Sequence, residues 1–281
     1  EISACLVGSE MCIRDSLISS LLVLTLATPI PYGDLSRIGL MSDREFGWTQ
    51  EPPKVAPEYL RAVPLDQADI LVIGDSFSMT HRWQSVLVKG GYKVTTAFWG
   101  QFDERLCGDF DAWLARAGFK GKLVIVESVE RILQERMRYT RSCETMKRPF
   151  AARTEPFAPP LEHVPGFALN WGAKLTSGLD TLKYTRAAKA TTADTVSTDR
   201  TKARTVVNGC EMFSHRLCNK ALFFGEDDEN GELPAEDVAA MQAFTKSQTA
   251  FPMLWMVIPN KTTTYIDPSH SKAFVEAFRA S

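Results

Sequence analysis

The chain has 281 residues, 44% of them apolar and 23% charged, with a formal net charge of −2. That is enough for one large domain or two modest ones, each with a real core. Basic and acidic residues nearly balance, 32 against 34, and no basic stripe is visible, so nucleic acid is not expected as a partner.

The first residues stand apart. Met11–Ser16, MCIRDS, back-translates to ATGTGTATAAGAGACAGC, which resembles the transposon end carried by sequencing-library adapters. Residues 1–16 are therefore read as a translated artefact and set aside from the fold. Leu17 to Ile30, LISSLLVLTLATPI, carries no charge but falls short of the ~20 apolar residues of a spanning helix. It reads as a truncated membrane anchor or signal segment, and it predicts an extracytoplasmic, inner-membrane-tethered location such as the periplasm. A buried element of the domain is the alternative. Residues 31–67 form a Pro-bearing lead-in.

From Ala68 a regular alternation begins. DILVIG is short and continuously apolar, as parallel strands are. FSMTHRWQSVLVKGG predicts a helix stopping at Gly90–Gly91. YKVTTAFWG is a second strand, and FDERLCGDFDAWLARAGF a helix with Leu106, Phe110, Trp113, Leu114 and Ala117 on one face. KLVIVES is a third strand and VERILQERMRY a third helix. Strand–helix alternation of this kind predicts an α/β fold, a flavodoxin-like three-layer α/β/α sandwich around a central parallel sheet. Right-handed crossovers place the strand ends together, and ligands bind at their carboxyl edge. Ser76, Gly100 and Glu127 fall on that edge.

The stretch from 139 to 210 shows no clear strand and reads as an insertion, with RAAKATTADTVSTDRTKART as a solvated helix end and loop. KALFFGEDDENGELP suggests a short strand and an acidic turn, and Asp227 with Asp228 is more simply a polar turn than a cation site. EDVAAMQAFTKSQTAF is a helix, PMLWMVIP a strand, and SKAFVEAFRA a closing helix. Of six cysteines, Cys5 and Cys12 lie in the segment set aside. Cys107, Cys143, Cys210 and Cys218 allow three full pairings, and Cys210 and Cys218 are close enough to pair across a loop. No CxxC or Cys/His spacing indicates zinc.

A serine between strand and helix holds its hydroxyl at the open sheet edge, where helix amides favour negative charge. Such a hydroxyl becomes a nucleophile when a base takes its proton and amides face the oxyanion. IGDSFS resembles the first block of the SGNH (GDSL-like) hydrolase superfamily. GDSF, VIPNKTTTY and FSHRLCNKALFFGEDDENG are similar to its alginate O-acetyltransferase-like branch. The resemblance spans roughly Asp69 to the C-terminus.

The resemblance implies Ser76 as nucleophile, with its N–H and that of Gly100, in FWGQF, forming the oxyanion hole. It also implies Asp267 orienting His270 as base, from the Asp-x-x-His pattern of IDPSH. The third block departs: VIVESVER has Glu127 where the family commonly carries an Asn, and an anionic carboxylate there would oppose an oxyanion. Asp267 and Pro268 also fit the start of the closing helix, and a chain truncated at its C-terminus would carry its Asp/His pair beyond Ser281.

The activity implied is acyl transfer or ester hydrolysis on an envelope or secreted polysaccharide, or on an acylated small molecule, without cofactor or metal. A membrane-bound acyl donor is the implied partner. A non-catalytic carbohydrate- or protein-binding domain of the envelope is the alternative. His81, His163 and His215 read as surface or loop histidines. Trp83, Trp99 and Trp255 read as core before they read as a sugar-stacking face.

Overall fold

The computed structural model describes residues 13–20, 33–50, 53–153, 155–156, 175–198, 200–229 and 232–281. Residues 13–20 are helical and exposed, and most of the proposed anchor lies outside the described residues, as does His163. Among the described residues no helix is long and apolar enough to cross a membrane.

Seven strands occur among the described residues: β1 (Ile70–Gly74), β2 (Val94–Phe98), β3 (Leu123–Val129), β4 (Thr195–Thr198), β5 (Thr201–Thr205), β6 (Lys220–Phe224) and β7 (Met253–Ile258). The chain divides into two compact units. One comprises Pro53–Pro159 and Glu226–Ser281, the other Glu1–Pro52 and Pro160–Gly225. The lead-in and insertion of the sequence reading are thus divided differently: the first part of the lead-in joins most of the insertion in a unit of its own.

The larger unit is the expected three-layer α/β fold. Its sheet has the order β2–β1–β3–β7, every pair parallel. Strand order reverses between β1 and β3, the switch point at which doubly wound sheets bind ligands. β1 is buried along its whole length, which accounts for its unbroken apolar run. Register puts Leu71, Ile73, Ala97, Val124 and Val126 on one face. They pack with Phe110, Trp113 and Leu114 of α2 (Phe110–Arg116) and Phe244 of α4 (Ala235–Ser247). Ile70, Val72, Val94 and Ile125 occupy the other face with Leu87 and Val88 of α1 (Gln84–Lys89). Leu133 and Met137 of α3 (Glu130–Arg141) cluster with Val238 and Met241 of α4 and Phe274 of α5 (Lys272–Arg279). Burying each such side chain contributes about 1.5–3 kcal/mol.

The second unit holds an antiparallel sheet, β4–β5–β6. The stretch read as solvated loop therefore contains two strands. In β5, Thr201 and Ala203 are buried while Lys202 and Arg204 are half-buried, a period-two pattern written in small and charged residues. Met41, Phe46, Ala188 and Leu222 form its core.

Two disulfides form, Cys107–Cys143 and Cys210–Cys218, one in each unit. Their sequence separations are 36 and 8. Loop-closure entropy then gives about 4 kcal/mol for the first and about 2–3 for the second. Denaturant unfolding of Cys107→Ala/Cys143→Ala should show the larger loss. Equal losses for the two double variants would contradict the loop-length account.

Candidate active site

β1 ends at Gly74, and the next residues turn rather than coil straight into a helix. Ser78 N–H donates to the Asp75 carbonyl at 3.0 Å and His81 N–H to that of Ser78 at 3.2 Å. The helix expected from Phe77 begins only at Gln84. The reason is local: His81 has φ +55°, a left-handed conformation that no α-helix can run through. Ser76 is therefore on a turn, without a helix N-terminus directly behind it.

The turn is pinned by its neighbours. Buried Asp75 accepts from Phe77 N–H with Oδ1 at 3.1 Å, and from Val129 N–H with Oδ2 at 2.8 Å. Ser78 Oγ donates to Glu127 Oε2 at 2.7 Å and accepts from Trp83 Nε1 at 3.1 Å. Ser76 between them is exposed, and among the described residues neither its N–H nor its hydroxyl makes a hydrogen bond. The turn commits every polar side chain from Asp75 to Ser78 except Ser76.

Glu127 corrects the expectation of a carboxylate opposing an oxyanion. It is wholly buried beneath the turn, with Oε2 also accepting Asp75 N–H at 2.9 Å and Oε1 without a partner. Burial first, and then the nearby Asp75 carboxylate, push it up to about 8. At neutral pH the group is an uncharged acid. Gly74 makes room for it: a Cβ there would collide with the Ser78 side chain and stand 2.8 Å from Glu127 Oε2.

Arg136 of α3 is the counter-charge. Only 2% exposed, it reaches Asp75 Oδ2 at 3.3 Å, Ser128 Oγ at 2.7 Å and Glu104 Oε2 at 2.8 and 2.7 Å from Nε and Nη2. Its guanidinium lies over the Trp99 ring, 4.5 Å from the centroid, and Trp99 Nε1 donates to the Glu127 carbonyl at 2.6 Å. Above this network a cleft of about 240 Å³ opens, walled by Ser76, Phe98, Val129 and Ile132, with Glu104, Arg131 and Glu135 adding charge. Gly100 is not one of the cleft-lining residues. It sits behind Phe98 and Glu104 in a 3₁₀ turn, Trp99–Phe102, where a Cβ would approach the Phe98 ring to 2.7 Å.

His270 and Asp267 lie in the loop after β7. The Asp267 carboxylate is held by Ser269, through N–H at 2.9 Å and the hydroxyl, and these bonds keep it below the usual carboxylate range. It does not begin the closing helix, which starts at Lys272 after Ser271. His270 Nε2 is buried without a hydrogen-bond partner, 3.8 Å from Oε1 of buried Glu130. Sequence reasoning passed over Glu130, Arg136 and Ser78. Glu130 and Arg136 fell within a predicted helix, where nothing set them apart from solvated charges, while the second serine of GDSFS was legible.

The remaining candidates are structural. His81 is buried with Nδ1 2.7 Å from the Leu60 carbonyl, and burial pushes it below the usual histidine range. His215 Nε2 lies 2.6 Å from the Lys220 carbonyl, with the ring between Phe46 and Phe213. Trp99 is completely buried, and Trp83 and Trp255 pack against core clusters. Asp227 pairs with Arg131 at 3.4 Å, and no metal-binding cluster occurs among the described residues. Comparisons with family models, curated proteins and solved structures find no match to the chain.

Glu127 carries a stability signature. Its folded-state value of about 8 exceeds the ordinary 4.5, so between those limits the folded state holds a proton that the unfolded chain has lost. Stability should fall as pH rises through that window. Urea unfolding of Glu127→Gln should show a flatter dependence from pH 5 to about 8 than the wild type. Identical slopes would show that the proton is not there. Gly74→Ala should cost about 1–3 kcal/mol by overpacking, and unchanged stability would mean that the turn has slack.

Proposed function

We propose that the chain is an SGNH-like acyl-transfer enzyme that works through Ser76. The observation that carries this reading is the exposed, uncommitted Ser76 hydroxyl and N–H at the end of β1, over a cleft at the switch point of the sheet. In this reading Ser76 Oγ bonds to the carbonyl carbon of an ester, and the alkoxide leaves as the alcohol after taking a proton. Water or a sugar hydroxyl then accepts the acyl group. The Ser76 N–H is one oxyanion donor. Gly100, the second donor that the resemblance implies, does not line the cleft, so the Ser76 N–H is the one oxyanion donor this reading rests on.

The substrate in this proposal is an acyl ester of an envelope or secreted polysaccharide. The cleft of about 240 Å³ suits an acyl group with part of one sugar, the polymer lying across its mouth. Two disulfides agree with an oxidising, extracytoplasmic compartment. A second reading, a non-catalytic binding domain, is favoured by one observation: among the described residues no histidine lines the cleft.

p-Nitrophenyl acetate hydrolysis separates the two. The wild type should exceed Ser76→Ala by about 10³-fold or more in kcat/KM. Equal background rates would leave the binding reading.

A further inference from the structure

We infer that His81 is the positioning residue of the Ser76 turn, and that the turn keeps its shape only while the His81 imidazole is uncharged. The consequence for turnover rests on the acyl-transfer reading. His81 does not line the cleft, so it acts on Ser76 through the chain between them.

Its φ of +55° is uncommon outside glycine, and such a backbone persists only where the surroundings hold it. The ring supplies the hold. His81 is 3% exposed, with Nδ1 2.7 Å from the Leu60 carbonyl. A carbonyl only accepts, so Nδ1 carries the hydrogen, and the lone pair of the neutral ring is on Nε2. That nitrogen is buried and, among the described residues, has no hydrogen-bond partner. A second proton would make Nε2 a charged donor with nothing to donate to, which is costlier than an unpaired acceptor. Burial is the chief influence and opposes that charge; the Leu60 carbonyl and the Glu155 carboxylate favour it, and the Arg153 guanidinium opposes it. Arg153 and Glu155 act from the segment that bridges to Thr96 of β2. The folded ring therefore stays below the ordinary 6.5 at which the unfolded chain takes up its proton, and the turn weakens as pH falls.

The left-handed residue passes this on to Ser76. Along an unbroken helix, side chains three and four apart meet, and those five and six apart do not. The bend at His81 brings Trp83 and Gln84, five and six residues on, back to Ser78. Trp83 Nε1 donates to Ser78 Oγ at 3.1 Å and Gln84 Nε2 to the Ser78 carbonyl at 2.8 Å. The His81 N–H donates to the same carbonyl at 3.2 Å. Ser78 is bonded in turn to Glu127, and its position sets that of Ser76, two residues earlier. When the ring takes a proton it leaves its pocket for water and the backbone at His81 relaxes. Trp83 and Gln84 then lose their hold on Ser78, and the Ser76 hydroxyl loses its fixed place over the cleft.

Hydrogen exchange tests the turn without any substrate. In the full wild-type chain, amides of residues 75–85, corrected for intrinsic rate, should exchange at least about threefold faster at about pH 5 than at about pH 8, with β3 unaffected. His81→Asn, which stays neutral and tolerates a left-handed backbone, should remove the difference. In p-nitrophenyl acetate hydrolysis at about pH 8, His81→Ala should lower kcat about tenfold with KM within about twofold, because the turn and not the cleft is altered. His81→Asn should restore most of that loss. The wild-type kcat should fall toward acid pH, and in His81→Asn the fall should begin at lower pH. Exchange in the turn that does not change with pH, or that changes equally in β3, would overturn the inference, as would an acid limb that His81→Asn leaves in place. Equal rates in wild type and Ser76→Ala would remove the acyl-transfer reading, and the exchange result would then decide the role of His81 by itself.

Discussion

The interaction on which this sheet edge depends is the buried contact between Asp75 and Arg136. Asp75 joins the ends of β1 and β3 by accepting an amide from each side of the gap, Phe77 N–H and Val129 N–H. A charge so placed needs a counter-charge, because an uncompensated buried ion costs about 3–5 kcal/mol. Arg136 supplies it from α3, and is itself satisfied by Glu104, Ser128 and the Trp99 face. The network holds Ser76 in place through the residues on either side of it. Its own hydroxyl is left out, which is the condition for a preorganised group that must change partners during a reaction.

The same network explains the departure at Glu127. Two acidic side chains, Asp75 and Glu127, lie within one hydrogen-bonded turn, and only one of them has a cation. Burial and the Asp75 charge both favour the neutral form of Glu127, so the proton resides there. A neutral carboxyl can replace an amide as a polar brace beneath a turn. Gly74 is the space it occupies, so the glycine of GDSFS and the glutamate of VIVESVER are a steric pair although 53 positions apart.

Sequence alone made the larger unit legible because its strands announce themselves. ILVIG, VTTAF and LVIVESV are buried on both faces or nearly so, MLWMVI is an apolar run only partly buried, and their spacing by helices indicates a parallel sheet. The smaller unit was legible only at β6, KALFF, which reads as a short strand. TKART buries Thr201 and Ala203 rather than Ile or Val, TVST leaves Val196 exposed, and the core is completed by Met41 and Phe46 from far earlier in the chain. The position of Ser76 after β1 was readable. The late start of α1 was not, because it follows from one left-handed residue, His81, a conformation uncommon for any residue but glycine and marked by no local pattern. The partner of Glu127 was hidden for a different reason: protonation is decided by burial and neighbouring charge, which no local pattern carries.

β3 is where these threads meet. Strand alternation sends Glu127 to one face beneath the Ser76 turn and Ser128 to the other, where it meets Arg136. Val129 then gives its amide to Asp75, and Glu130, one residue on, takes the donors of the loop after β7. Four consecutive side chains or amides thus serve both halves of the edge. The pairing of β3 with β7 runs to Val129 and Ile258, so the strand that supports Ser76 also sets the height of the loop bearing His270. A shift of β3 by one residue would exchange Glu127 for Ser128 beneath the turn, removing the brace and exposing the buried guanidinium to an unpaired neighbour. The edge is therefore specified as a unit, and the chemistry proposed for Ser76 depends on the register of β3 as much as on the serine itself.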